Sequence, residues 1–305
     1  MAIDHIDENK IDRNELAHED STSHNESNER ISHSLTFRAM ILFQVLAYGS
    51  YSILVHLCEH DGHIMFSSAT MNLVLELVKL IFSLIALLCT SKQSSSILFA
   101  KGSFVQHSLP YAVPGLLYFI NNNLAVHMQL QMDPASYQIL SNFKIATTAI
   151  LYRIIIKHKL SQQQWFAVAL LFSGGLFYSL GNVTNSAVLS MDNTTKMFIR
   201  PLGLPMILLY CTLSGLAGVY NEWILKKYYT QSLHLQNIYL YTYGSLLNLV
   251  PAVGIPLLVS GSFHQLNPFE GFSIYTWLVI VTQALNGLFM AKSVMEKRDA
   301  THDHP

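Results

Sequence analysis

Of the ionisable residues inside the long apolar runs of this chain, four stand out: Glu76, Lys79, Lys144 and Glu222. A charge at membrane depth costs roughly 2.5 to 3.5 kcal/mol on insertion scales, so each needs a partner, a water-filled cavity or a function. Glu76 and Lys79 are three apart, which puts them on one helical face and within reach of each other. An internal ion pair that steadies the bundle accounts for them as well as a functional charge does. Lys144 differs, because no acid lies three or four positions away. It pairs with Glu76 or Glu222 from another helix, or it meets an anionic ligand. Tyr137, Ser141 and Lys144 recur at helical spacing and combine a ring, a hydroxyl and a cation on one face. Such a stripe suits a nucleotide, with the ammonium on phosphate and the ring against base or sugar.

A second stripe runs through Asn237, Tyr241, Gly244 and Asn248, with Tyr243 nearby. Polar side chains facing lipid are costly, so these face other helices or a cavity. Hydrogen bonding between helices and ligand binding both fit. The run Asn121-Asn122-Asn123 covers too wide an arc for one interface, so at least one amide is expected to look into a polar space. Ser214-Gly215-Leu216-Ala217-Gly218 reads first as close helix packing by small residues.

The elements that must position these residues are membrane helices. Of the 305 residues 51% are hydrophobic and 12% charged, against about a quarter charged in a soluble domain. Spanning the hydrocarbon core takes about 20 apolar residues. Eight runs qualify: 36–57, 65–90, 104–128, 134–156, 163–183, 202–225, 235–260 and 273–291. The fold class is thus an all-α membrane protein of about eight transmembrane helices. Pro110 with Pro114, Pro201 with Pro205, and Pro251 with Pro256 mark where helices begin, bend or end. Residues 1–34 are polar and read as a disordered tail, with no cleaved signal pattern. Residues 293–305 form a second polar tail.

Lys and Arg concentrate in every other loop, which predicts both termini in the cytosol. The stretch 184–201 then becomes a lumenal loop, and Asn182 and Asn193 become candidate glycan acceptors. Cys58, Cys89 and Cys211 stand singly, so no disulfide framework or zinc site is implied. A net charge of −1 and the lack of a basic stripe exclude a nucleic-acid binder. No HExxH, Walker loop, GxSxG or repeated acidic motif is present, which disfavours an enzyme.

The segment NNNLAVHMQLQMDPASYQILSNFKIATTAILY at 121–152, followed by LSQQQW at 160–165, resembles the nucleotide-sugar transporters of solute carrier family 35. ELVKL at 76–80, SGLAGVYNEWILKK at 214–227, QNIYLYTYGSLLN at 236–248 and QALNGL at 283–288 follow in the family's order. The resemblance implies a Golgi carrier with ten helices in a five-plus-five inverted repeat. It exchanges a cytosolic nucleotide sugar for a lumenal nucleoside monophosphate and needs no cofactor. On that plan 35–183 is the first repeat and 202–292 an incomplete second one, because the chain ends AKSVMEKRDATHDHP where the family continues with two more helices. The family pattern puts Lys144 on the phosphates, with Tyr137, Asn122, Asn237 and Tyr241 lining the nucleotide pocket. It puts Tyr243 at a pocket position usually held by a smaller hydroxyl residue. Glu76 and Lys79 match the charged residues of its second helix, where a coupling or structural role is expected. Partners on this reading are the nucleotide sugar, the monophosphate and the bilayer, with a second copy or other Golgi transporters as possible associates. Alternatives are a non-transporting form that associates with the full-length carrier, and a membrane enzyme acting on activated sugars.

Overall fold

The computed structural model describes residues 38–60, 63–90, 103–157, 160–188, 199–228, 231–261 and 267–287. Both expected tails, Asn193 and most of the 184–201 loop lie outside these residues. By contact density the chain divides inside its first helix, into Met1–Leu46 and Ala47–Pro305. The packing and the site described below belong to the second unit.

The chain is an all-α membrane protein. Helix α1 covers Arg38–Leu57. A short hairpin follows, with strands β1 (Glu59–His60) and β2 (His63–Ile64) paired antiparallel. Helix α2 runs Ser68–Thr90. Next come α3 (Ser103–Ser108), a 3-10 turn at Leu109–Tyr111 and α4 (Ala112–Gln129). Helices α5 (Pro134–Ser141) and α6 (Phe143–Ile155) meet at Asn142. Helix α7 is Gln162–Val188 and α8 is Gly203–Lys227. Helix α9 (Leu233–Leu249) passes through a π turn at Val250–Gly254 into α10 (Ile255–Ser260). The last described helix, α11, spans 274–287.

Within the described residues each of the eight apolar runs is thus mainly helical. Among the described residues four segments are individually long and apolar enough to cross a membrane: Arg38–Leu57, Ser68–Cys89, Gly203–Lys227 and Leu233–Val259. Two of the other runs are broken by local chemistry. Pro110 sits in the 3-10 turn between α3 and α4, where its missing N–H and fixed φ favour a tight turn. Asn142 donates its backbone N–H to the carbonyl of Ile139 at 3.2 Å, a tight turn that separates α5 from α6. Pro251 lies within the π turn and Pro256 in the first turn of α10, so the proline positions mark the bends as expected. Helix α7 continues to Val188, five residues past the expected end. The backbone of Asn182 is thus helical rather than part of a loop, since no proline or further glycine interrupts the run after Gly181.

Helix starts and stops follow local rules. Asp133 caps α5, its carboxylate accepting from Ser136 N–H at 3.0 Å and from the Ser136 hydroxyl at 2.6 Å, with Pro134 in the first turn. Lys157, at φ 60°, turns the chain out of α6.

Contacts between loops sort into two ends, as an alternating up-and-down path requires. At one end Met132 bridges Ile199, and Arg200 N–H donates to Gln131 at 2.8 Å. At the same end Cys58 Sγ lies 3.5 Å from Thr276 Oγ1, and Phe66 packs edge-on to Phe272. There Gly271 adopts φ +75° against the Met65 carbonyl, a backbone conformation that favours glycine. At the other end the Tyr111 hydroxyl donates to Gln236 at 2.8 Å, and Lys226 bonds Tyr152 at 3.0 Å.

Candidate transport cavity

Among the helices whose contacts are described, α2 and α9 pack against each other most extensively. Beside that contact a cavity of about 320 Å³ opens. Glu76 and Lys79 of α2, Tyr118 and Asn122 of α4, and Asn221 of α8 face it. So do Asn237, Tyr241, Gly244 and Asn248 of α9, and Gly287 of α11. Asn237 lies four residues, about 6 Å, from the start of α9, and Asn248 lies about 22 Å in. The cavity is thus a well that runs from the helix ends near Lys226 and Lys227 to mid-membrane depth.

Five residues expected from the sequence meet in this well: Glu76, Lys79, Asn122, Asn237 and Tyr241. Glu76 and Lys79 form an ion pair, with Nζ 2.5 Å from Oε1. The Lys79 ammonium also stands 4.6 Å from the Tyr241 ring centroid, a cation–π contact. Among the described residues the side chains of Asn122, Asn221 and Asn237 have no protein hydrogen-bond partner. A primary amide offers two donors and an acceptor, so these three leave unused bonding capacity facing the well. Asn221 was not singled out in the sequence, where the neighbouring Glu222 drew attention. Its signal is a polar residue three positions after Gly218 and four before Leu225, on one face of α8.

The floor of the well is closed by side chains bonded to each other. Asn123 Nδ2 donates to Asn248 Oδ1 at 3.0 Å, and Ser68 donates to Asn123 Oδ1 at 3.1 Å. Asn248 Nδ2 donates back to the Gly244 carbonyl at 2.8 Å. Asn248 therefore serves helix-to-helix bonding, whereas Asn122 supplies the amide expected to face a polar space.

Lys144 and Tyr137 are not among the residues lining the well. Tyr137 is buried in an apolar cluster with Leu140, Tyr210 and Cys211, its ring 6.3 Å from that of Tyr210. The tight turn at Asn142 interrupts the helical phase that was to align Tyr137 with Lys144. Lys144 Nζ donates to the Tyr48 hydroxyl and stands 4.5 Å from the Tyr48 ring centroid. Neither Glu76 nor Glu222 is its partner. Among the described residues no carboxylate forms an ion pair with it.

Tyr243 faces elsewhere too, its hydroxyl 3.2 Å from Ser108 Oγ. Glu222 pairs with Lys226 at 2.6 Å and accepts from Tyr152 at 3.1 Å at an exposed helix end. In the small-residue run, Gly215 packs against Thr148, where an added Cβ would lie 3.1 Å from the Thr148 backbone N. Gly218 of the same run has open space beside it.

Comparison with known proteins fits this arrangement. The sequence model of the family described as nucleotide-sugar transporter matches residues 33–299. A relative from Xenopus tropicalis, named probable UDP-sugar transporter protein SLC35A4, is 39% identical over 275 residues, covering 89% of this chain and 80% of the relative. The protein of the same name from Danio rerio is 40% identical over 271 residues, covering 88% and 82%. That from Homo sapiens is 37% identical over 265 residues, covering 83% and 76%. These are names of transporters and not of enzymes. A well that carries three amides and an ion pair in an all-helical bundle, matched along nearly its whole length by such sequences, places this chain in the nucleotide-sugar transporter family.

Proposed function

We propose that this chain carries a nucleotide sugar, specifically a UDP-sugar, across the Golgi membrane in exchange for a nucleoside monophosphate. The observation that supports this most directly is the well itself, where three unpartnered amides flank an aromatic, cation-bearing wall. A base and a sugar both present donors and acceptors to amides, and both pack against rings such as Tyr118 and Tyr241. Lys144 adds a mid-depth ammonium that meets the Tyr48 phenol and, among the described residues, no carboxylate, so an incoming phosphate is its natural counter-charge. It stands on α6, which packs along α8, a wall of the well.

On this reading both termini are cytosolic, the well opens to the cytosol, and Asn182 and Asn193 belong to the lumenal side. Transport breaks no covalent bond. Two groups of helices rock about the bound nucleotide, and the returning monophosphate resets the carrier from the same site.

The test is uptake of labelled UDP-sugars into proteoliposomes containing this chain alone, preloaded with UMP. The expected result is UMP-dependent uptake that falls at least about 100-fold in Lys144→Ala, a loss of about 2.7 kcal/mol. No uptake, or uptake undiminished by that substitution, overturns the proposal.

A further inference from the structure

The geometry points to Glu76 as a built-in stand-in for the ligand's phosphate, seated on Lys79 in the empty carrier and displaced when a phosphorylated ligand enters. This deepens the carrier reading above and rests on it. Lys79 is the cation and Glu76 the anion among the residues lining the well, so the empty well is formally neutral. Both are largely shielded, at 14% and 7% side-chain exposure. A phosphate entering such a space needs a counter-charge, because amides and phenols donate hydrogen bonds without neutralising it. Among the described residues lining the well Lys79 alone can supply one, Lys144 lying outside it, and Glu76 already occupies Lys79 at 2.5 Å. Ligand phosphate and Glu76 carboxylate therefore compete for one ammonium.

The carboxylate is also lodged against α9. A Cβ on Gly244 would lie 3.0 Å from Glu76 Oε2, 3.1 Å from Cδ and 3.2 Å from Cγ. The acid fits because α9 presents bare backbone there. Once phosphate takes Lys79, the carboxylate has lost its counter-charge in a tight crevice, and it is driven out toward the water of the well. The α2–α9 contact then loses one of its wedged side chains. Ligand binding energy is in this way spent on loosening the extensive α2–α9 contact. A nucleotide sugar and a nucleoside monophosphate both bring phosphate and both release the contact. An uncharged nucleoside does not.

Titration of the full chain in lipid nanodiscs with UMP and with uridine separates the outcomes. Glu76→Gln removes the competing charge, so UMP binds about tenfold more tightly while uridine binding is unchanged. Gly244→Ala crowds the carboxylate off its seat and moves UMP affinity the same way by a smaller factor. Lys79→Gln narrows the difference between UMP and uridine, and what remains of it is the share of Lys144. If Glu76→Gln does not fold, Gly244→Ala decides alone. UMP affinity unchanged or weakened in these variants, with uridine affinity intact, overturns the stand-in while leaving the carrier reading in place. A wild-type chain that binds neither UMP nor UDP-glucose overturns both.

Discussion

Lys79 and Lys144 sit at similar depth, each eleven residues, about 17 Å, before the same-side end of its helix. Their surroundings differ in kind. Lys79 has a carboxylate three residues away on its own helix and a ring from α9, and it faces the well. Lys144 has a tyrosine from α1 and no carboxylate among the described residues. An ammonium at membrane depth is thus handled in two ways within one bundle, by a charge that cancels it or by a neutral dipole and ring that leave the charge uncancelled. The first gives an empty cavity that is neutral and stable. The second keeps a standing attraction for an anion.

The comparison breaks most visibly at Glu76. Replacing Glu76 by Leu leaves Lys79 shielded and uncompensated, at a cost of about 3 kcal/mol. The double replacement Glu76→Leu with Lys79→Leu removes both charges and recovers most of that loss. Unfolding midpoints of the three proteins in one detergent check this, and a single variant no worse than the double would erase the contrast between the sites. At Lys144 the effect is smaller, because its partner is a phenol and not a carboxylate. Tyr48→Leu removes both ring and hydroxyl and lowers stability by about 1 to 2 kcal/mol, while Tyr48→Phe keeps the cation–π contact and loses about half of that. Equal losses in the two variants would mean that the ring contributes nothing. Asn248→Leu cuts the bond that closes the floor of the well at about 0.6 kcal/mol. Its clearer readout is labelling by a water-soluble thiol reagent at a cysteine placed at Ser68. Glu222→Gln marks the lower limit, under about 0.5 kcal/mol, since its bridge to Lys226 is solvent-exposed. A midpoint shift as large as that of Glu76→Leu would make the two ion pairs equivalent.

The sequence made the helices legible because each must shield its own backbone from lipid, and an apolar run long enough to span leaves few other solutions. The Glu76–Lys79 pair and the Asn237–Tyr241 side of the well were legible for the same reason, being set by period within one unbroken helix. The stripe through Tyr137 and Lys144 was not, because a single tight turn at Asn142 re-phases the two halves. Tyr243 illustrates the same limit, since two positions along α9 from Tyr241 is more than half a turn away, toward Ser108. Asn221 escaped notice because its role depends on which neighbours α8 meets, and that is a property of packing between distant segments. The hairpin Glu59–Ile64 was also invisible, its strands being two residues each.

The closed floor has an electrical meaning. With water admitted to the level of Asn248, a voltage across the bilayer would drop mainly over the half beyond the Asn123–Asn248 bond. A charge crossing that half exchanges about 2.3 kcal/mol with each 100 mV. Swapping a doubly negative sugar nucleotide for a doubly negative monophosphate moves no net charge through that field. The proposed exchange would then be indifferent to membrane potential, whereas one-way passage of either anion would not.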